Sequence, residues 1–361
     1  MRRPAPKLAK RLAALLAIVV CCTLPAIQNS GHATIPGSAE HVVAVSLDGL
    51  NTTAITQLGR AGTPNLHRLM DEGMSTLNAR TAAEKTVTLP NHAGMLTGRR
   101  VKASMGGHGV TINGYSSAGV TVHTLAGQRV DSVFTVLDDA GLRSALFTSK
   151  DKFDLFERSW RGEMDRFTYE SDNERLVDQA VASLTTNPHD FTFVHLSAPD
   201  DAGHRHSWMS PNYLTSVRLV DQLVGELIAA IEGNPDLADS TALVVTADHG
   251  GPPGERGHNS RSTLANYRIP FFVWGAGVGV GDLYDRNPSF REPGTAIINY
   301  RGSQPVRNAN VANLALEMLG LDAVPGSGID PGQTLVVDGP DVGADPPPPD
   351  ECGVLIPGAT A

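Results

Sequence analysis

Five short stretches, residues 42–47, 144–148, 191–197, 242–247 and 270–274, are apolar at nearly every position rather than at alternate ones. A strand covered on one face alternates. One covered on both does not, so these read as buried strands of a parallel sheet. Elsewhere the period changes. Across 213–231, Leu214, Val217, Val220, Leu223, Leu227 and Ile231 recur every three or four residues, which is the spacing of one helix face. Residues 132–140 and 311–319 carry a similar pattern. Alternating strand and helix predicts an α/β fold, a doubly wound and mostly parallel sheet flanked by helices in three layers.

Two stretches, 99–131 and 276–305, are rich in Gly, Ser and Asn and read as long loops, which in a compact domain often shape a binding site. The ends differ from the middle. Arg2, Arg3, Lys7, Lys10 and Arg11 precede an unbroken apolar run over 12–22, a length that suits the core of an export signal and falls short of a bilayer span. Residues 1–33 are therefore expected to be a signal peptide, with cleavage after Ala33 favoured over Ala26. A retained membrane anchor is the competing reading. Residues 336–361, with Pro347-Pro348-Pro349 among Asp and Gly, look like a tail. The domain proper is expected over 40–335, outside the cytoplasm and with no stable membrane span after cleavage.

Composition narrows the function. A net charge of −9 and the lack of a Lys/Arg-rich block after residue 11 give no support to binding of a nucleic-acid duplex. Of three cysteines, Cys21 and Cys22 leave with the signal and only Cys352 remains, so no internal disulfide is expected. Oligomeric state is not legible.

The chemistry lies in the polar residues that follow the apolar runs. Asp48, Asp200 and Asp248 each stand within a few residues of the carboxyl end of a predicted strand, and in an open parallel sheet those ends share one edge. Three carboxylates gathered there resist joint ionisation unless a cation joins them. With His204, His249 and His258 they form an N/O donor set suited to zinc, though Mn2+ and Fe share such donors. Asp200 and His204, four residues apart, are assigned with His258 to one ion. The adjacent Asp248 and His249 are assigned with Asp48 and Thr88 to a second. Pro90 is placed to open a helix, which sets Thr88 at a helix N-terminus, where phosphate binds well. Metal coordination would make its hydroxyl a nucleophile. Asn91, one turn on, is expected to donate to a non-bridging phosphate oxygen. Thr86 competes with Thr88, as Asp201 and His206 compete with Asp200 and His204.

These residues, in order, resemble the alkaline phosphatase superfamily, and most nearly its nucleotide pyrophosphatase and type I phosphodiesterase family. The resemblance rests on Asp48, Thr88-Leu89-Pro90-Asn91-His92, Asp200 with His204, Asp248-His249 and His258, and extends to Gly107-His108-Gly109-Val110, Asn113 and Arg307-Asn308-Ala309. It implies an alkaline-phosphatase-like three-layer fold, two zinc ions and a covalent phosphothreonine, and its Asp-x3-His register favours Asp200 and His204 over their rivals. Two departures stand out. Val87 occupies the place where the family usually has Lys, and Lys150-Asp151-Lys152 resembles a cationic element of monoesterase members. Lys150 and Lys152 are accordingly expected to touch substrate.

The expectation is an exported, metal-dependent phosphoester hydrolase acting on a small-molecule substrate. The alternatives are a phosphomonoesterase and a catalytically silent protein that binds metal or phosphoryl groups. Tyr115, Phe153 and Trp160 are candidates to line a substrate pocket.

Overall fold

The computed structural model describes residues 39–338, so the expected signal peptide and all but the start of the tail lie outside the described residues. Among the described residues there are eight strands: β1 His41–Leu47, β2 Met74–Arg80, β3 Ser144–Thr148, β4 Arg166–Tyr169, β5 Phe191–Leu196, β6 Thr241–Thr246, β7 Arg268–Gly275 and β8 Gly281–Asp282. They form one sheet in the order β4-β3-β5-β1-β6-β7-β2-β8. β4, β3, β5, β1 and β6 run parallel, with Ala44 opposite Phe193 on one side and Val244 on the other. β7 is antiparallel to both β6 and β2, the one reversal in an otherwise parallel sheet.

All five apolar runs became strands. β2, β4 and β8 did not announce themselves. β2 carries Ser75, Thr76 and Asn78, while β4 and β8 are short edge strands with little apolar content. Edge strands need no continuous apolar run, because only one side pairs and coverage is partial.

Helices fall into two mutually packed sets. One comprises α1 (Thr52–Gly62), α2 (Pro64–Glu72) and the helices Asn173–Thr186, Ala198–His206 and Pro211–Glu232; the other comprises Thr88–Thr97, Val133–Asp139 and Asn310–Met318. Pro211–Glu232 buries Val217, Val220, Leu223, Val224, Leu227 and Ile231, the stripe expected from its spacing. Ser132 caps the helix Val133–Asp139 through a reciprocal bond with Thr135. The loop stretches 99–131 and 276–305 hold only short helices and β8. Among the described residues, no helix is long and apolar enough to cross a membrane.

This layout fixes where polar groups meet. β3, β5, β1 and β6 are neighbours in the sheet and point the same way, so Lys150, Ser197, Asp48 and Asp248, each just beyond one of these strands, reach one edge side by side.

Away from that edge, Glu317 on Asn310–Met318 is pushed up to about 7 by burial, with Asp330 and Asp338 adding repulsion, and its Oε2 has no hydrogen-bond partner. The folded state holds this proton where an unfolded glutamate, at 4.5, has lost it. Stability should therefore fall as pH rises from about 4.5 to about 7, by on the order of 1 kcal/mol once the roughly 3 kcal/mol of the full shift is discounted for the group's partial exposure. Urea unfolding at pH 5 and pH 8 should show a smaller loss in Glu317→Gln than in the wild type. Equal losses would remove Glu317 as the cause.

Candidate active site

Asp48 leaves β1 and is followed by Gly49, whose φ of 72° and close approach to Asp200 (an added Cβ would lie 2.9 Å from the Asp200 Cα) admit no side chain. The Gly49 N–H donates to Asp248 Oδ1 at 3.0 Å, and the His249 N–H donates to the same oxygen at 2.8 Å. Asp248 Oδ2 is thereby left without a partner. The Gly49 carbonyl accepts from the Trp208 indole and the Tyr213 hydroxyl, each at 2.9 Å. One tight turn thus sets three carboxylates against one another.

The histidines share one orientation. His204 Nδ1 lies 2.8 Å from the Arg256 carbonyl, His249 Nδ1 2.9 Å from the Gly250 carbonyl and His258 Nδ1 2.5 Å from the Thr86 carbonyl. A carbonyl only accepts, so each Nδ1 carries the proton and each Nε2 offers a lone pair. Those lone pairs face carboxylate oxygens. His249 Nε2 is 3.4 Å from Asp48 Oδ1, 3.2 Å from Asp248 Oδ2 and 3.8 Å from Asp200 Oδ1. His204 Nε2 and His258 Nε2 are 3.3 and 3.6 Å from Asp200 Oδ1 and 3.1 Å from each other.

Acceptors facing acceptors repel unless a cation lies among them. Asp48 Oδ1, Asp200 Oδ1, Asp248 Oδ2 and His249 Nε2 are all buried and all lack a hydrogen-bond partner. Two clusters of metal-compatible geometry result, Asp48 with Asp248 and His249, and Asp200 with His249 and His258. His204 joins the second through the distances above. The residues present fit divalent metal in number, atom type and protonation.

Ionisation follows the same logic. Burial opposes the charge on Asp48, but Lys150 and His195 outweigh it and hold the carboxyl well below its usual range. Asp248 lacks such a partner. Burial, then repulsion from Asp48 and Asp200, lifts it well above the usual range. Burial with His258 pushes His249 down to about 3, which keeps it neutral and able to ligate.

Thr88 begins the helix Thr88–Thr97, as expected, and is buried. Its carbonyl accepts from His92 Nδ1 at 2.8 Å, and that nitrogen also lies 3.8 Å from Asp248 Oδ2, so the helix start sits against the metal-side carboxylates. Thr86, its rival, is occupied: its hydroxyl donates to the His258 carbonyl and its own carbonyl orients the His258 ring.

Several expected roles do not match the positions found. Asn91 was expected to donate to phosphate, yet both of its amide donors are taken by the protein. Its Nδ2 donates to the Lys85 and Val87 carbonyls at 3.0 and 2.9 Å, and its Oδ1 accepts from Ala82 N–H, Asn308 Nδ2 and the Thr81 hydroxyl. It braces the turn from behind. Asn113 is better placed, with Oδ1 accepting from Leu89 N–H at 2.9 Å and Lys152 Nζ at 3.4 Å. Lys150 was expected on substrate, yet its Nζ contacts Asp48 Oδ2 at 2.7 Å and Asp200 Oδ2 at 2.5 Å. Phe153 and Trp160 are fully buried, Trp160 also bordering a cavity with Glu157, Arg161 and Met164, and Tyr115 is exposed.

Residues given no role from sequence also matter. Trp208 is buried between Gly203 and Gly251, where any added Cβ would strike its ring, and it stands edge-on to His204 and His258. His195 donates from Nε2 to Asp48 Oδ2 at 2.9 Å, with Thr148 on its Nδ1. Such outer groups set how the ligands point. Asn308, next to the buried Arg307, ties Asn91 to the Asp248 carbonyl.

Comparison with known proteins agrees with this geometry. The profile of the type I phosphodiesterase / nucleotide pyrophosphatase family matches residues 42–293, and the chain belongs to that family, within the alkaline phosphatase superfamily. GPI ethanolamine phosphate transferase 1 of Emericella nidulans is 34% identical over 137 residues, which is 36% of this chain and 14% of that protein. The chain thus spans about a seventh of that relative's length. Murine ectonucleotide pyrophosphatase/phosphodiesterase 5, solved as an inactive variant with AMP, superposes with a TM-score of 0.55 at 17% identity, over 79% of this chain and 96% of that one. The lipoteichoic acid synthase LtaP from Listeria monocytogenes gives 0.56 at 17% identity, over 83% and 77%. At these identities the likeness is one of fold.

Gly49→Ala tests the turn. Its positive φ and the contact with Asp200 should cost about 2 kcal/mol in chemical denaturation, with loss of bound metal. A variant as stable as the wild type with full metal content would refute the packing argument.

Proposed function

We propose that this protein is an exported, metal-dependent phosphodiesterase that forms and then hydrolyses a phosphothreonine at Thr88. The observation that carries the reading is the shared orientation of His204, His249 and His258, with each Nε2 lone pair aimed at unpartnered carboxylate oxygens beside the Thr88 helix start. Asp200, His204 and His258 would hold one divalent ion, and Asp48, Asp248, His249 and Thr88 another, with zinc suiting the donors. Bound there, the metals supply charge neutralisation at the phosphoryl group and a more acidic Thr88 hydroxyl.

The chain's own groups do the rest. Thr88 Oγ1 gives its proton to solvent water and attacks phosphorus; the bond to the leaving alcohol's oxygen breaks, and that oxygen takes a proton back from solvent, so no net proton is lost in this step. Water then attacks the phosphothreonine, releasing a phosphomonoester and restoring Thr88. The dipole at the start of the helix Thr88–Thr97 would favour a phosphoryl anion, while the Leu89 N–H is already taken by Asn113 Oδ1 at 2.9 Å and Pro90 has none. A cavity of about 520 Å3 beside this turn, lined by Lys85, Thr86, Val87, Asn113, Arg261 and Tyr267 among others, has room for the part of the substrate that is not transferred. Diester preference is supported by Lys150, whose charge is committed to Asp48 and Asp200 and so is not free to neutralise a monoester's extra charge. Export rests on the composition of residues 1–33.

A second reading comes from the relatives named ethanolamine phosphate transferases. The same phosphothreonine passed to an alcohol instead of water would make this chain a transferase. The two share every step up to the intermediate.

Thr88→Ala should lower hydrolysis of bis(4-nitrophenyl) phosphate by roughly a thousandfold or more while zinc content holds. Wild-type-like rates in that variant would falsify the nucleophile assignment. Adding an acceptor alcohol such as glycerol to the wild-type reaction separates the readings: product ratios that stay with water support the hydrolase, and a dominant alcohol adduct supports the transferase.

A further inference from the structure

We propose that Lys150 is a built-in counter-cation of the metal site: its ammonium grips Asp48 and Asp200 by one oxygen each, keeps the metal-free chain folded, and leaves their other oxygens facing the metal. The inference rests on the metal reading above and assigns a positioning role.

The division of oxygens is the first support. Lys150 Nζ takes Oδ2 of Asp48 at 2.7 Å and Oδ2 of Asp200 at 2.5 Å, while both Oδ1 atoms remain unpartnered. Those Oδ1 atoms lie 3.4 and 3.8 Å from His249 Nε2, inside the two candidate metal clusters. One ammonium therefore turns two carboxylates so that a single oxygen of each faces the ligand histidines.

Lys150 is also held in place. Its N–H donates to Thr148 Oγ1 at 3.2 Å, and the same hydroxyl bonds His195 Nδ1 at 3.0 Å, while His195 Nε2 shares Asp48 Oδ2. The following turn, Asp151–Phe153, buries Phe153 against His195 and His92, with ring centroids at 4.3 and 4.8 Å. Lys152, two residues on, contacts the Asn113 carbonyl and Oδ1 instead, so the counter-charge comes from one lysine.

Charge gives the reason for such a device. Asp48, Asp200 and Asp248 are buried together, and without metal the chain must balance their charge by itself. Removing one partner of a buried ion pair leaves an uncompensated charge, which is strongly destabilising. Bound divalent ions would take over that balance, so the loss should fall mainly on the metal-free state.

Thermal unfolding of the full chain, stripped with EDTA and then reloaded with zinc, tests this in wild type, Lys150→Met and Lys150→Arg. Zinc should raise the wild-type Tm; no rise would sink the metal reading itself. Given that rise, Lys150→Met should lose roughly 5–10 °C when stripped and much less when loaded, with Lys150→Arg between the two. A Lys150→Met protein that purifies with zinc and unfolds on chelation gives the same support. Equal losses in both states, no loss in either, or failure of both variants to fold even with zinc would overturn the proposal.

Discussion

Three buried carboxylates on neighbouring strand ends repel one another, and much of the described structure follows from how that repulsion is managed. Asp48, Asp200 and Asp248 converge because β1, β5 and β6 are adjacent and parallel, an arrangement built from apolar runs that say nothing about charge. Burying the edge raises the cost of each negative charge. The molecule answers with a lysine on two of them, backbone N–H groups on the third, and histidine lone pairs arranged as a divalent metal would need them.

Orientation is the second theme. Each candidate ligand is held by a group that does not itself ligate: Asp248 by the Gly49 and His249 N–H groups, His258 by the Thr86 carbonyl, His204 by the Arg256 carbonyl and Asp48 by His195. Backbone supplies most of these contacts. That choice fixes the histidine tautomers, and it couples the start of the helix Thr88–Thr97 to the candidate metal ligands through Thr86 and His92. A site arranged this way is preorganised, which is where much catalytic power of phosphoryl-transfer enzymes lies.

The carboxylates of the candidate metal clusters were legible because they follow apolar runs. Asp48 and Asp248 follow strands whose composition betrays burial, and Asp200-x3-His204 spans one helical turn, so sequence spacing maps directly onto space. Roles set by side-chain direction were not legible. Asn91 sits one turn into a helix, where sequence cannot tell a face turned to substrate from one turned to Thr81 and Asn308. Lys150 emerges beside two carboxylates only once β3 is known to lie next to β5, a pairing with no local signature. Trp208 and His195 act through packing and a shared hydrogen bond, and neither leaves a motif. β2 stayed hidden because its polar residues sit in a strand paired to the reversed β7.

The central claim is that cations lie among these six side chains. A crystal of the zinc-loaded protein, with data collected on both sides of the zinc absorption edge, tests it most directly. The account predicts two anomalous peaks, one among Asp48, Asp248 and His249 and the other among Asp200, His204 and His258. Peaks elsewhere on the chain, or none at this edge of the sheet, would contradict it.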